Sequence, residues 1–199
     1  MLDTYARKYF DFIINSAAKF LSGLGLSSNQ VTIIAGTIGI LTGLLVYLDM
    51  FIAAIILLWL SGFLDSVDGA IARLNNKESL WGTVLDITFD RVVEISFIIG
   101  LAFRFPEVRL NLLFMTTSII LSMTIFLTVG AVSEKSGEKS FRYQVGLMER
   151  TEGFILFTVF LVLPDLIYGL TILYAVLVLY TAIQRFQEAR KLLKSPGLN

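Results

Sequence analysis

Long apolar runs separated by brief polar breaks fill the chain from Asn29 to Arg190. At ~1.5 Å per helical residue, a run of about 20 crosses the ~30 Å hydrocarbon core of a bilayer. The pattern predicts six membrane-spanning helices, at 29–48, 51–73, 82–104, 107–132, 149–163 and 166–190, the last projecting into water through residues 184–194. Ahead of them, residues 3–22 follow a different rhythm. Arg7, Asp11, Asn15 and Lys19 form a polar stripe, with Tyr5, Tyr9, Phe12, Ile13 and Phe20 opposite, as in an amphipathic helix lying in the membrane interface. Scattered charges and the lack of an uninterrupted apolar core argue against a signal peptide. Gly23 and Gly25 end this helix, and Ser28 and Asn29 supply capping side chains for the first span.

Composition narrows the class. With 56% hydrophobic and 16% charged residues among 199 and a mean hydropathy of +0.78, the expected fold is an all-α integral membrane protein, residues 1–199 forming a single domain. Its core is a six-helix bundle over 29–190. Net charge is zero, and no nucleic-acid partner is expected. Lys and Arg fix the orientation. Arg7, Lys8 and Lys19, Arg73 and Lys77, Lys135, Lys139, Arg142 and Arg150, and Arg185, Arg190, Lys191 and Lys194 all fall on one side, against Arg104 and Arg109 on the other. Positive charge collects on the cytoplasmic side, so both termini are expected there.

The remaining charges concentrate in residues 65–90, where Asp65, Asp68, Asp86 and Asp90 are embedded in apolar sequence. Charge at membrane depth is costly and marks function. If Arg73 and Gly82 lie near one membrane surface, the helical rise puts Asp65 about 12 Å and Asp68 about 7.5 Å deep, with Asp86 and Asp90 about 6 and 12 Å deep on the returning helix. Spacings of three and four place each pair on one helix face, so the two pairs can enter one cavity. Each close pair repels by roughly 3 kcal/mol at 5 Å and an effective dielectric of 20, a conflict that a divalent cation removes. The chain has no His and no Cys, leaving hard oxygen donors and therefore Mg²⁺ or Mn²⁺, with Ca²⁺ a further occupant; four carboxylates suit two ions. The plainer alternative is a set of solvated helix-end acids or salt bridges, for which only Arg73, Lys77 and Arg91 lie close enough in sequence.

This stretch resembles the signature of the CDP-alcohol phosphotransferase family, Asp-x-x-Asp-Gly-x-x-Ala-Arg, eight residues, Gly-x-x-x-Asp-x-x-x-Asp, with matches at Asp65, Asp68, Gly69, Ala72, Arg73, Gly82, Asp86 and Asp90. The resemblance implies six transmembrane helices, a homodimer and an active site open to the cytoplasm. The expected location is the cytoplasmic membrane of a prokaryote. The implied reaction is attack by an alcohol hydroxyl on the phosphate of a CDP-linked donor, with release of CMP. Asp65, Asp68, Asp86 and Asp90 would hold the metal, with Asp90 also the general base. Gly69, Ala72 and Gly82 would let the CDP group approach the backbone, and Arg73 would grip its phosphate by two parallel bonds. Asn29 and Thr32 resemble the family's Pro-Asn-x-x-Thr element beside the nucleotide, with Ser28 in place of the proline.

Lys139, Arg142, Arg150 and Arg185 suit an anionic, phosphorylated acceptor; topological charge and contact with lipid headgroups account for them equally well. Residues 146–152 resemble a Gly-Leu-x-Glu-Arg-x-Glu pattern of phosphatidylinositol-phosphate synthases in this family, with Gly153 where a second arginine follows. The donor is expected to be CDP-diacylglycerol or a related CDP-lipid, with a soluble CDP-alcohol such as CDP-inositol as the alternative. Gly36, Gly39 and Gly43 form a small-residue face for helix packing. A divalent-cation transporter is the competing function, but helices 2 and 3 are almost wholly apolar beyond Asp65 and Glu94, which suits a closed cavity better than a conduit.

Overall fold

The computed structural model describes residues 2–135 and 146–193. Among them every regular element is helical: α1 (Leu2–Gly23), α2 (Ser28–Tyr47), α3 (Phe51–Leu74), α4 (Leu80–Arg104), α5 (Arg109–Lys135), α6 (Arg150–Val162) and α7 (Ile167–Leu193). Among the described residues, four stretches, Ser28–Tyr47, Phe51–Leu74, Pro106–Val132 and Pro164–Lys191, are long and apolar enough to cross a membrane. The expected spans at 82–104 and 149–163 coincide with α4, which is loaded with Asp86, Asp90, Arg91 and Glu94, and with α6, which has 13 residues. The chain divides into two compact units, Leu2–Glu107 and Val108 onward.

In the first unit α2 is the central element, packed against both α3 and α4. Its small residues make this possible. A Cβ on Gly36 would strike the Phe89 ring, one on Gly39 would strike Val93 and Ser61, and one on Gly43 would overlap the Ser96 carbonyl. Gly100 of α4 meets the Gly43 backbone in turn. Such close approach brings polar groups within reach across helices, where no water competes. Ser61 Oγ on α3 donates to the Ala35 carbonyl at 2.8 Å, and Ser96 Oγ on α4 donates to the Ile40 carbonyl at 2.7 Å. The small-residue face foreseen on this helix is thus its contact with α4 and, at Gly39, with α3.

The turn into α2 differs from the sequence expectation. Its cap is Ser27, not Ser28 or Asn29: Ser27 Oγ accepts from the Gln30 N–H while Gln30 Oε1 accepts from the Ser27 N–H, a reciprocal capping box. Ser28 becomes the first helical residue, and Asn29 is released from capping. α1 also docks by a face its polar and aromatic stripes do not reveal. Ala18 is fully buried with Val31, Val67, Ala70 and Ile71, flanked by Ile14, Ala17 and Leu21, whereas Phe10, Phe12, Ile13 and Phe20 are exposed.

In the second unit α5 packs along α7. Asn111 Nδ2 donates to the Tyr168 carbonyl at 3.3 Å near one end of this pair. The shorter α6 is held to α7 by aromatic contact: Phe157 stacks on Tyr174 with centroids 5.4 Å apart, and Phe160 meets the same ring edge-on at 6.0 Å. Gly153 leaves room for that tyrosine, since a Cβ there would stand 3.3 Å from the Tyr174 hydroxyl.

Candidate active site

Ser61 of α3 meets α2 through the Ala35 carbonyl, and the buried Ala54 and Leu58 lie on the same face of α3. Continued at the same spacing, this face reaches Asp65 and Asp68, so the packing face turns acidic where α3 nears its carboxyl end. On α4 the α2-facing residues are Phe89, Val93 and Ser96, and helical geometry puts Asp86 and Asp90 roughly a quarter-turn from them. Packing against α2 therefore fixes the rotation of both acidic faces.

The result is a triad. Asp65, Asp86 and Asp90 each offer a carboxylate oxygen, and the three atoms lie within 4.8 Å of one another. Asp86 Oδ1 is buried and has no hydrogen-bond partner among the described residues. Asp68 is 5% exposed and is not one of the three. An apolar setting with three converging anionic oxygens suits a hard divalent cation, which would bond the orphaned Asp86 oxygen and offset the mutual repulsion. One turn beyond Asp90, Glu94 is ion-paired with Arg91, which places that arginine's charge within α4.

The expected nucleotide residues cluster around the same helix ends. Arg73 folds back over Gly69: a Cβ at Gly69 would stand 3.4 Å from Arg73 Nη1 and 4.0 Å from Nη2. Gly82 is in the first turn of α4, its N–H donating to the capping Ser79 Oγ at 3.0 Å. A Cβ at Gly82 would lie 3.1 Å from that oxygen and 3.3 Å from Asn29 Oδ1. Thr32, one turn along α2 from Asn29, is buried and donates to the Ser28 carbonyl at 3.0 Å. Asn29 and Ala72 line a cleft of about 380 Å³, together with Ser27, Asn75, Lys77 and Ser79. This cleft was not foreseen in the sequence. It depends on the turn after α1, where Gly25 takes φ +84°, and on a bond from Asn75 Nδ2 to Ser22 Oγ at 3.2 Å.

Of the expected acceptor residues, Lys139 and Arg142 lie outside the described residues. Arg150 opens α6, with its guanidinium 5.4 Å from the Phe154 ring centroid. Arg185 is 7% exposed. It donates to Ser122 Oγ at 3.4 Å and lies over the Phe126 ring at 5.2 Å. Ser122 and Phe126 carried no sequence signal, because nothing in an apolar helix indicates which of its faces meets a buried arginine.

A family model for CDP-alcohol phosphatidyltransferase matches residues 26–184, which include the whole acidic stretch. The chain belongs to this family. Its members are transferases, so the chain is a membrane enzyme of phospholipid biosynthesis. The archaetidylinositol phosphate synthase of Pyrococcus horikoshii is 35% identical over 176 residues, which cover 88% of this chain and 90% of that protein. The phosphatidylinositol phosphate synthase of Corynebacterium glutamicum is 29% identical over 96% of this chain and 90% of its own length. Among solved structures, the phosphatidylinositol phosphate synthase of Mycobacterium tuberculosis in complex with manganese and citrate superposes with a TM-score of 0.75 at 26% identity, covering 93% of this chain and 91% of that one.

Proposed function

We propose that this CDP-alcohol phosphatidyltransferase carries a lipid-linked phosphate from a CDP-lipid, acyl- or ether-linked, to a hydroxyl of inositol phosphate, releasing CMP. The observation that carries this reading is the convergence of Asp65, Asp86 and Asp90 within 4.8 Å in a chain of this family. The inositol phosphate assignment draws on the names of the Pyrococcus and Corynebacterium relatives and on the buried guanidinium of Arg185.

Asp65, Asp86 and Asp90, with Asp68 beside them, would hold divalent ions, Mg²⁺ or Mn²⁺ and two in number. Bound there, such ions would supply charge neutralisation at the diphosphate, making CMP a better leaving group. Arg73 grips a phosphate of the donor. Gly69, Ala72 and Gly82 leave the nucleotide room at the backbone, with Asn29 and Thr32 at the cleft end of α2. The acceptor hydroxyl attacks in line at phosphorus as the bond to CMP breaks, and Asp90 takes the hydroxyl proton. Arg150 and Arg185, with Arg142 and Lys139, bind the acceptor's phosphate.

The matched region extends over both compact units, which supports one catalytic domain over residues 1–199. Its six helices α2 to α7 span the cytoplasmic membrane of a prokaryote as a homodimer, and α1 lies in the interface. The distribution of Lys and Arg supports a cytoplasmic site and termini.

The test is product formation by the purified enzyme. CDP-diacylglycerol and its archaeal ether counterpart are each incubated with inositol phosphate, inositol or glycerol phosphate, soluble CDP-inositol is supplied as donor in a parallel reaction, and CMP and lipid products are followed by mass spectrometry. A lipid carrying inositol phosphate, formed with stoichiometric CMP, is the expected result. Equal use of unphosphorylated inositol, or CMP release from soluble CDP-inositol alone, contradicts the reading.

A further inference from the structure

Arg185 is held on two sides by α5, whose Ser122 and Phe126 are one turn apart. Ser122 takes Nη1 at 3.4 Å and Phe126 underlies the guanidinium. The third side belongs to Gly146. A Cβ there would stand 3.4 Å from Arg185 Nη2 and 3.5 Å from Nε, so one methyl would lie in van der Waals contact with both atoms and occupy the space beside them. Arg185 Nε is buried and has no hydrogen-bond partner among the described residues. Nε and Nη2 form the edge of a guanidinium that takes two oxygens of an oxyanion in parallel. A buried donor left unfilled is costly, and an oxyanion at this edge relieves that cost.

We propose that Gly146 determines acceptor specificity: its missing Cβ keeps the Nε–Nη2 edge of Arg185 open to the phosphate monoester of the acceptor. The inference rests on the reading that Arg185 binds a phosphorylated acceptor. Gly146 itself is fixed by Thr181. The Thr181 hydroxyl accepts from the Met148 N–H at 3.0 Å and donates to the Leu177 carbonyl at 3.0 Å, while its Cγ2 methyl lies where a Gly146 Cβ would fall. The chain entering α6 is thereby fastened to α7 at the turn that bears Arg185.

Gly146→Ala alone would collide with that methyl, so the test uses Thr181→Ser, which removes the methyl and keeps the hydroxyl, with and without Gly146→Ala. CMP release is measured with CDP-diacylglycerol as donor and either inositol phosphate or inositol as acceptor, alongside melting temperature. Thr181→Ser should behave as the unaltered enzyme. Adding Gly146→Ala should raise KM for inositol phosphate about tenfold or more, the loss of one of two charge-assisted bonds, with donor KM, kinetics with inositol and melting temperature unchanged. An unchanged KM for inositol phosphate, equal losses with both acceptors, or a melting temperature that falls with affinity would overturn the proposal. Arg185→Lys separates the two levels. If it too leaves KM for inositol phosphate unchanged, the Arg185 assignment fails; if it raises that KM while the Gly146 variant does not, only the role of Gly146 fails.

Discussion

Asn29 on α2 and Gly82 on α4 meet at the cleft end of the first unit, the Asn29 Oδ1 lying 3.3 Å from where a Gly82 Cβ would stand. Because Ser27 caps α2, Asn29 is spared for this contact. A methyl at position 82 would push between Asn29 and Ser79, into the region proposed for the nucleotide.

Gly82→Ala should therefore separate stability from function. In a helical turn alanine is favoured over glycine by about 0.5–1 kcal/mol, which offsets the crowding, so the melting temperature should hold within a few degrees. Donor KM should rise roughly tenfold, equivalent to about 1.4 kcal/mol. Steady-state CMP release with varied CDP-lipid checks it; an unchanged donor KM would remove Gly82 from the nucleotide site.

Asp90→Asn should lower kcat by at least about 100-fold, the scale of a lost general base, while donor binding persists through Asp65, Asp68 and Asp86. Asp86→Asn should weaken metal and donor together. Calorimetric donor binding beside CMP release distinguishes the two, and near-normal turnover in Asp90→Asn would refute the base assignment.

Gly43→Ala should destabilise the protein by about 2 kcal/mol or more, since its Cβ would overlap the Ser96 carbonyl and backbone cannot yield as a side chain does. Gly23→Ala, with open space around the added atom, is the matched control and should melt as the unaltered protein does. Equal melting temperatures for both variants would contradict the close contact between α2 and α4.

Arg142→Ala and Arg150→Ala should each raise acceptor KM about tenfold, roughly 1.4 kcal/mol for a lost charge-assisted phosphate bond, with donor KM unaffected. Varying donor and acceptor separately checks this. Unchanged acceptor dependence in both variants would return these arginines to topology or lipid contact.

The sequence carried the helix order and the acidic signature because both are local: long apolar runs define helices, and spacings of three and four put Asp65 with Asp68 and Asp86 with Asp90. It did not carry the pairing of helices. α2 is apolar on most of its surface, so only the row Gly36, Gly39 and Gly43 hinted at a close partner, and nothing in that row named Phe89, Val93 and Ser96. The hairpin expectation set Asp65 level with Asp90, and these two do meet, but it set Asp86 level with Asp68, whereas Asp86 joins Asp65 and Asp90 in the triad. The docking face of α1 was hidden for a related reason. Ala17 and Ala18 are small and weakly hydrophobic beside exposed Phe12 and Phe20, yet their size is what lets α1 approach α3. Around Arg185, the decisive residue is Gly146, whose effect lies in an atom it lacks.

An ion shared by Asp65, Asp86 and Asp90 would link stability to activity. Ion binding to the folded state alone contributes about 2.7 kcal/mol at 100 times the dissociation constant, so chelation should lower the melting temperature in detergent, and Mg²⁺ or Mn²⁺ should restore it. Asp86→Asn should need a higher ion concentration for the same recovery.

The most direct measurement is CMP release as Mg²⁺ or Mn²⁺ is titrated into chelator-treated enzyme, comparing the unaltered chain with Asp86→Asn. The triad predicts no turnover without ion, full recovery on its addition, and a half-saturating concentration raised about tenfold or more in the variant, for one lost ligand contact of roughly 1.4 kcal/mol. Undiminished CMP release from the chelated enzyme, or identical ion dependence in the two proteins, would contradict it.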